Sequence, residues 1–311
     1  MSEIIIGVDI SKDHFDAHRL PDRAARQFNN TKAGVRAFLA WAGADVGRVV
    51  FEPTGPCHRL FESACAKAGL ALCKVNPKNA RRFAEAIGVL AKTDRVDAAI
   101  LARMGRLDEL PSTPVADDGL YALRELMGAR RALIRERTRI KNREKNLTLP
   151  LLKEQHRSRL DRIAKEIAAI DADIRTAIAQ DKILARRFEI LTSIPGVAEQ
   201  TAFVFLIDMP ELGTMEGKQA AALSGLAPRT RQSGQWRGRA AIGGGRKTLR
   251  DAIYMPALVA TRFNDDFKEK YDQLIKAGKP AKLAITVVMR KLVILANALI
   301  RDNRKWSPKI A

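Results

Sequence analysis

Ile4-Ile5-Ile6-Gly7-Val8-Asp9 is an apolar strand that ends on an acid, and its reading decides the fold. A polar turn, Ser11-Lys12-Asp13, separates it from a second extended stretch, about residues 14–20, so the two are expected to form a hairpin. Val49-Val50-Phe51-Glu52 repeats the pattern, ending on an acid before Pro53-Thr54-Gly55. A further short strand is expected at about 70–75. Helical patterns fall at about 31–42 and 58–68, and from Thr93 to Gly105. Strands alternating with helices indicate an α/β layer sandwich, and the early hairpin makes its sheet mixed. Pro111 to Pro114 marks the end of this region.

The acids carry the chemistry. Asp9 and Glu52 end strands. Asp94 and Asp97 lie three apart in Lys92-Thr93-Asp94-Arg95-Val96-Asp97-Ala98, a spacing that puts both on one helix face. Each has a structural explanation by itself. Asp94 after Thr93 suits the first turn of a helix, where Thr caps and Asp meets the positive dipole end. Glu52 could pair with a lysine. Taken together, strand-end acids and a helical pair are how a cleft gathers charge for a divalent cation, bound through carboxylates, water and substrate phosphates. Two such ions about 4 Å apart stabilise both oxygens of a phosphoryl displacement.

The bulk properties agree with a nucleic-acid partner. The 311 residues carry a net charge of +20 and a pI near 10.3, which favours a polyanion. A hydrophobic fraction of 46% is enough for a packed core and argues against global disorder. Cys57, Cys65 and Cys73 fit neither a zinc pattern nor an even disulfide framework, so reduced thiols in a cytosolic protein are expected. No leader is expected at the N-terminus. The apolar run from Leu283 to Ile300 is interrupted by Arg290 and Lys291, which argues against a membrane span.

From Asp117 to about Gln180 the chain reads as helical arms. Leu160, Ile163, Ile167, Ile170, Ile174 and Ile178 form a seam at spacings of three and four, and Pro150 should divide the stretch. Gly128 to Asn146 holds eight Arg or Lys against two Glu. This is either a solvated face or a basic arm for nucleic acid, and Arg130, Arg131, Arg135 and Arg139 are its candidate contacts. Ser193-Ile194-Pro195-Gly196-Val197 between two apolar helical stretches suggests a helix-hairpin-helix element, or an ordinary turn. Residues 217–250 then contain no acid and eight basic residues. Within them, Arg229, Arg231, Arg237, Arg239, Arg246 and Lys247 are candidate phosphate ligands around Ser233-Gly234. A serine before glycine is usually a turn residue. Flanked by arginines, it could instead attack a phosphodiester and hold it as phosphoserine. Helices are expected from Leu249 to Arg262, Asp265 to Ala277 and Ala281 to Arg301.

These motifs, in this order, resemble the DEDD-type insertion-sequence transposases, RNA-guided recombinases with a RuvC-like domain and a serine domain. The resemblance rests on Gly7-Val8-Asp9-Ile10-Ser11-Lys12, Glu52-Pro53-Thr54-Gly55 and the Lys92-to-Ala98 motif. It continues through Ser193-to-Val197, Gly225-Leu226-Ala227-Pro228, Ser233-Gly234, Arg237-Gly238 and Tyr254-Met255-Pro256-Ala257. It implies a ribonuclease-H-like, RuvC-like mixed sheet over 1–110, a helical coiled coil over 117–185, and a mainly helical serine domain over 188–311. It implies that Asp9, Glu52, Asp94 and Asp97 bind Mg²⁺ or Mn²⁺ and that Ser233 is the nucleophile. It further implies target and donor double-stranded DNA, a non-coding guide (bridge) RNA, and a dimer or tetramer with a composite active site. The expected location is the cytoplasm, at the bacterial nucleoid. Three other activities compete: a junction-resolvase-like, structure-specific nuclease using water, a non-catalytic RNA-binding scaffold, and a kinase-like ATPase, for which no phosphate loop is present.

Overall fold

The structure is a computed structural model and describes residues 3–91, 93–107, 110–113, 118–230, 232–238 and 240–308. The chain divides into two compact units, Met1–Asp117 and Asp118–Ala311.

The first unit is built on a five-stranded mixed sheet. Its strands are β1 (Ile4–Ile10), β2 (His14–Leu20) and β3 (Ala25–Asn29), followed after α1 (Lys32–Ala42) by β4 (Val46–Phe51). After α2 (Arg59–Lys67) comes β5 (Leu72–Lys74). The order is β3-β2-β1-β4-β5. β1 pairs with β2 antiparallel and with β4 in parallel, and β5 adds to β4 in parallel. The expected hairpin is present; β3 is an edge strand that sequence reading missed. Mostly exposed, it carries only Phe28 into the core, too weak an alternation to read.

Strand alternation divides the unit into layers. Ile6, Val8, Ile10, Phe15, Ala17, Val49 and Phe51 pack with Phe38 and Phe61 of α1 and α2 on one face. Ile5 and Val50 face the other way, toward α3 (Pro77–Ala86) and α4 (Asp94–Met104). The helix α3, also missed, is amphipathic with few large apolar residues. Asn76 caps it, accepting from Lys78 N at 2.9 Å, and Pro77 takes the first helical position. Cys65 and Cys73 are buried and free, and burial pushes the Cys65 thiol up to about 12, so it is inert.

The second unit is helical. α5 (Asp118–Glu144) and α6 (Pro150–Gln180) form an antiparallel hairpin, with Pro150 starting the second arm as expected. Ile140 packs with Ile163 and Ile167, and an Arg130–Asp171 ion pair at 2.5 Å ties the arms closer to their base. Asp181 caps α7 (Lys182–Thr192), accepting from Ile183 N and Leu184 N. α8 (Glu199–Asp208) and α9 (Gly217–Leu223) follow. The expected glycine-arginine loop is two small ladders. β6 (Pro228–Arg229) pairs with β9 (Ala241–Ile242), and between them β7 (Gln232–Ser233) pairs with β8 (Trp236–Arg237). Finally, α10 (Lys247–Phe263), α11 (Asp265–Lys276) and α12 (Ala281–Arg301) complete the unit. By length and composition α12 could cross a membrane. In this fold Ala284, Val288, Leu292, Val293, Ala296 and Leu299 are wholly buried in the core of the unit.

Candidate active site

Gly7 sets the geometry of the acidic cluster. A Cβ there would lie 2.1 Å from Ala98 O and 2.2 Å from Ala102 N, so only glycine lets α4 lie directly on β1. Farther down, a Cβ on Gly105 would strike Ile5 and Val50. The helix therefore runs back along the sheet, with its first turn beside the C-terminal ends of β1 and β4. Thr93 starts it there, accepting from Val96 N at 3.3 Å. Along β1, Ile5, Gly7 and Asp9 share the face toward α4, and along β4 Val50 and Glu52 continue the same face.

The four expected acids meet as a result. Asp9 is half-buried, and its carboxyl is pushed up to about 6. Burial is the largest cause, followed by the charges of Asp94, Asp97, Glu52 and Asp16. Crowded carboxylates, one of them costly to ionise, are the electrostatics of a site that favours a cation. Glu52 and Asp97 also line a cleft of about 130 Å³ closed by Pro77, Ala80, Arg81, Ala84 and Ile100. The donors are hard oxygens at strand ends and a helix start, so the residues fit a divalent cation such as Mg²⁺ or Mn²⁺.

Two neighbours escaped sequence reading. Asp16 pairs directly with Asp9 across β1–β2, and His14 lies two residues away on the same face. His14 Nε2 is 3.8 Å from Asp94 Oδ2, and ligand atoms of His14, Asp16 and Asp94 all lie within 4.8 Å of one another. The signal was available: the Ser11–Asp13 turn fixes the hairpin register, and that register sets Asp16 opposite Asp9. Asn30 braces the strand ends, donating from Nδ2 to Ser11 O at 2.9 Å and to Cys57 O at 3.0 Å. Beneath the Glu52 loop lies a buried carboxylate, Glu62, paired with Lys74 and 3.7 Å from His58.

Ser233 lies in the second unit, exposed in the β7–β8 hairpin. The base of this excursion is pinned. Arg246 N donates to Leu223 O at 2.7 Å, and Arg250 Nη1 donates to Gly244 O at 2.9 Å. Gly225 and Gly245 are in the left-handed region, and a Cβ on Gly225 would strike Gly244 O and one on Gly245 would strike Gly225 N. Arg229 lies over Gly243 and Gly244. Arg237 pairs with Gln232, on the ladder face opposite that of Ser233. Arg231 and Arg239 lie outside the described residues.

The other expected arginines divide by partner. Arg135 and Arg139 are exposed on α5. Arg130 and Arg131 are paired with Asp171 and Asp208, Arg246 grips Glu211 bidentately at 2.6 and 2.7 Å, and Lys247 pairs with Asp251. The Pro195–Gly196 turn packs its glycine against Pro256 and Ala260 of α10.

Comparison with known proteins identifies the group. Residues 6–150 match a family described as "Transposase" of DEDD type, and residues 188–272 match "Transposase IS116/IS110/IS902 family". The chain belongs to the IS110-type transposases. It is 29% identical over 326 aligned residues to a pilin gene-inverting protein of Moraxella bovis, covering 100% of this chain and 99% of that one. A pilin gene-inverting protein of Moraxella lacunata matches to the same extent. An insertion element IS110 protein of Streptomyces coelicolor, described as uncharacterized, is 28% identical over 48% of this chain and 38% of its own length. This transposase is therefore an enzyme of DNA cleavage and strand transfer.

Proposed function

We propose that the transposase cuts and rejoins DNA through a covalent phosphoserine at Ser233, with Asp9, Glu52, Asp94 and Asp97 as its metal-binding tetrad, guided by a non-coding bridge RNA. The observation that carries this reading is the convergence on Asp9. The carboxylates that crowd it include all three other members of the tetrad. The sheet order and the helix over its acid-bearing end fit a ribonuclease-H-like, RuvC-like domain over 1–110. The hairpin arms (117–185) and a serine domain (188–311) with a helix-hairpin-helix-like turn complete the proposed organisation.

A divalent cation held by the tetrad would supply Lewis-acid stabilisation of charge on the scissile phosphate. Asp9, Asp94 and Asp97 hold their carboxylates on one strand end and one helix turn, so the site is preorganised. Ser233 Oγ attacks phosphorus and releases its proton. The Oγ–P bond forms as a P–O bond to the sugar breaks, and the departing sugar oxygen takes up a proton. The exchanged strand's hydroxyl then reverses the step, so phosphodiester energy is conserved. Arg229, Arg237, Arg246 and Lys247, with Arg231 and Arg239, are the proposed phosphate contacts of the serine domain. On the arms, exposed Arg135 and Arg139 are better placed than ion-paired Arg130 and Arg131. The protein works in the cytoplasm as a dimer or tetramer, on target and donor DNA.

The test is cleavage of DNA carrying both sites, with Mg²⁺ and RNA transcribed from the element's flank. Cleavage should vanish in Ser233→Ala, in Asp9→Asn, and when the RNA is withheld. Undiminished cleavage by Ser233→Ala would instead favour a nuclease that uses water on the acidic site alone.

A further inference from the structure

Ser233 and Trp236 face each other across the β7–β8 ladder, joined by a turn whose Gly234 has φ +55°. Directly opposed residues share a face of the ladder, with Cβ atoms roughly 5 Å apart. Trp236 is 60% exposed, and among the described residues its indole makes no hydrogen bond, ring stack or cation–π contact. A single exposed apolar residue needs no special account. This one is an indole beside the proposed nucleophile, in a stretch with eight basic residues and no acid between 217 and 250. Such surroundings suit a polyanion better than the apolar centre of a protein interface.

We infer that Trp236 is a nucleobase-stacking site, taking the face of an unstacked base beside the phosphodiester that Ser233 attacks. The inference rests on the reading of Ser233 as a residue that acts on DNA. Exchanging strands at a cut requires the flanking base pairs to open, which loses stacking. An aromatic side chain restores much of it and tolerates any base, since every base has a π-face. The ladder spacing is of the order of one nucleotide step, about 3.4 Å along a strand, so the site is for a base next to the cut. The β7–β8 pairing sets serine and indole opposite each other, so that stacking would also set the register of the phosphate at Ser233 Oγ.

The experiment uses the full chain with its RNA and a DNA duplex of the element's junction, carrying 2-aminopurine at one position at a time across the junction. Fluorescence is read in a Ser233→Ala background, where chemistry is blocked, with and without Trp236→Ala or Trp236→Phe. The expected result is a Trp236-dependent signal at one or two adjacent positions, lost in Trp236→Ala and kept in Trp236→Phe, with DNA binding at least about five-fold weaker in Trp236→Ala. Identical signals at every position with and without Trp236 would overturn the inference. Parallel detection of a covalent adduct in the parent chain separates the two claims. An adduct without a Trp236-dependent signal refutes stacking alone. A signal without an adduct supports stacking and refutes the role of Ser233. A change in sedimentation of Trp236→Ala without nucleic acid would assign the indole to a protein contact, against the proposal.

Discussion

At the scale of single residues, Asp9 and Gly7 define the site. The Asp9 carboxyl, ordinarily near 3.8, is pushed up to about 6 in the folded chain without metal. Folding then favours its protonated form, so its contribution to stability is full below about pH 4 and is lost as pH rises through about 6. Asp9→Asn should be more stable than the parent in a chelator at pH 7, the difference closing toward pH 4. Mg²⁺ should raise the parent's melting temperature at pH 7, less below pH 6 where protons compete, and leave Asp9→Asn unmoved. Melting curves of both proteins across pH check this, and an Asp9→Asn variant that responds to Mg²⁺ like the parent would contradict it. Gly7→Ala tests the geometry from the other side. Its methyl meets the backbone of α4, so it should cost about 1–3 kcal/mol by denaturant titration and depress cleavage by moving Asp94 and Asp97. The grouping of Asp9, Glu52, Asp94 and Asp97 was legible in the sequence because these acids close apolar runs or sit at helical spacing. His14 and Asp16 were not singled out because hairpin register, rather than composition, brings them to the cluster.

At the scale of elements, the arms show how much charge reading can and cannot resolve. The seam followed from spacing and the break from Pro150, and α5 and α6 are as expected. Which arginines remain free depends on partners far away in sequence: Asp171 for Arg130 and Asp208 for Arg131. Substitution should separate the two classes. Arg130→Gln leaves Asp171 without its cation in a largely buried place and should cost about 1–3 kcal/mol of stability. Arg139→Gln should leave stability within about 0.5 kcal/mol, while weakening nucleic-acid binding and lowering its salt slope by about one. Thermal melts and binding titrations at several salt concentrations read both effects. Strand β3 was missed because it shows no clear apolar alternation, and helix α3 because small residues, Ala80 and Ala84, carry most of its apolar face.

At the scale of the whole molecule, one unit gathers acids and the other presents a serine among basic residues, and the chain as a whole carries +20. Binding to DNA should therefore weaken steeply with salt, through release of counterions from the phosphates neutralised. Composition made the partner class legible. The proposed division of metal-binding and nucleophilic chemistry between the two units rests on the ordered motifs, since Ser233 by itself reads as a turn residue. The most direct measurement is covalent trapping. The protein, Mg²⁺, flank RNA and labelled target and donor DNA are mixed, and the products are run on a denaturing gel. The account predicts a protein–DNA band that depends on RNA, is absent in Ser233→Ala and Asp9→Asn, and yields a phosphorylated Ser233 peptide by mass spectrometry. Cleaved DNA with no covalent band, or a band that survives Ser233→Ala, would contradict it.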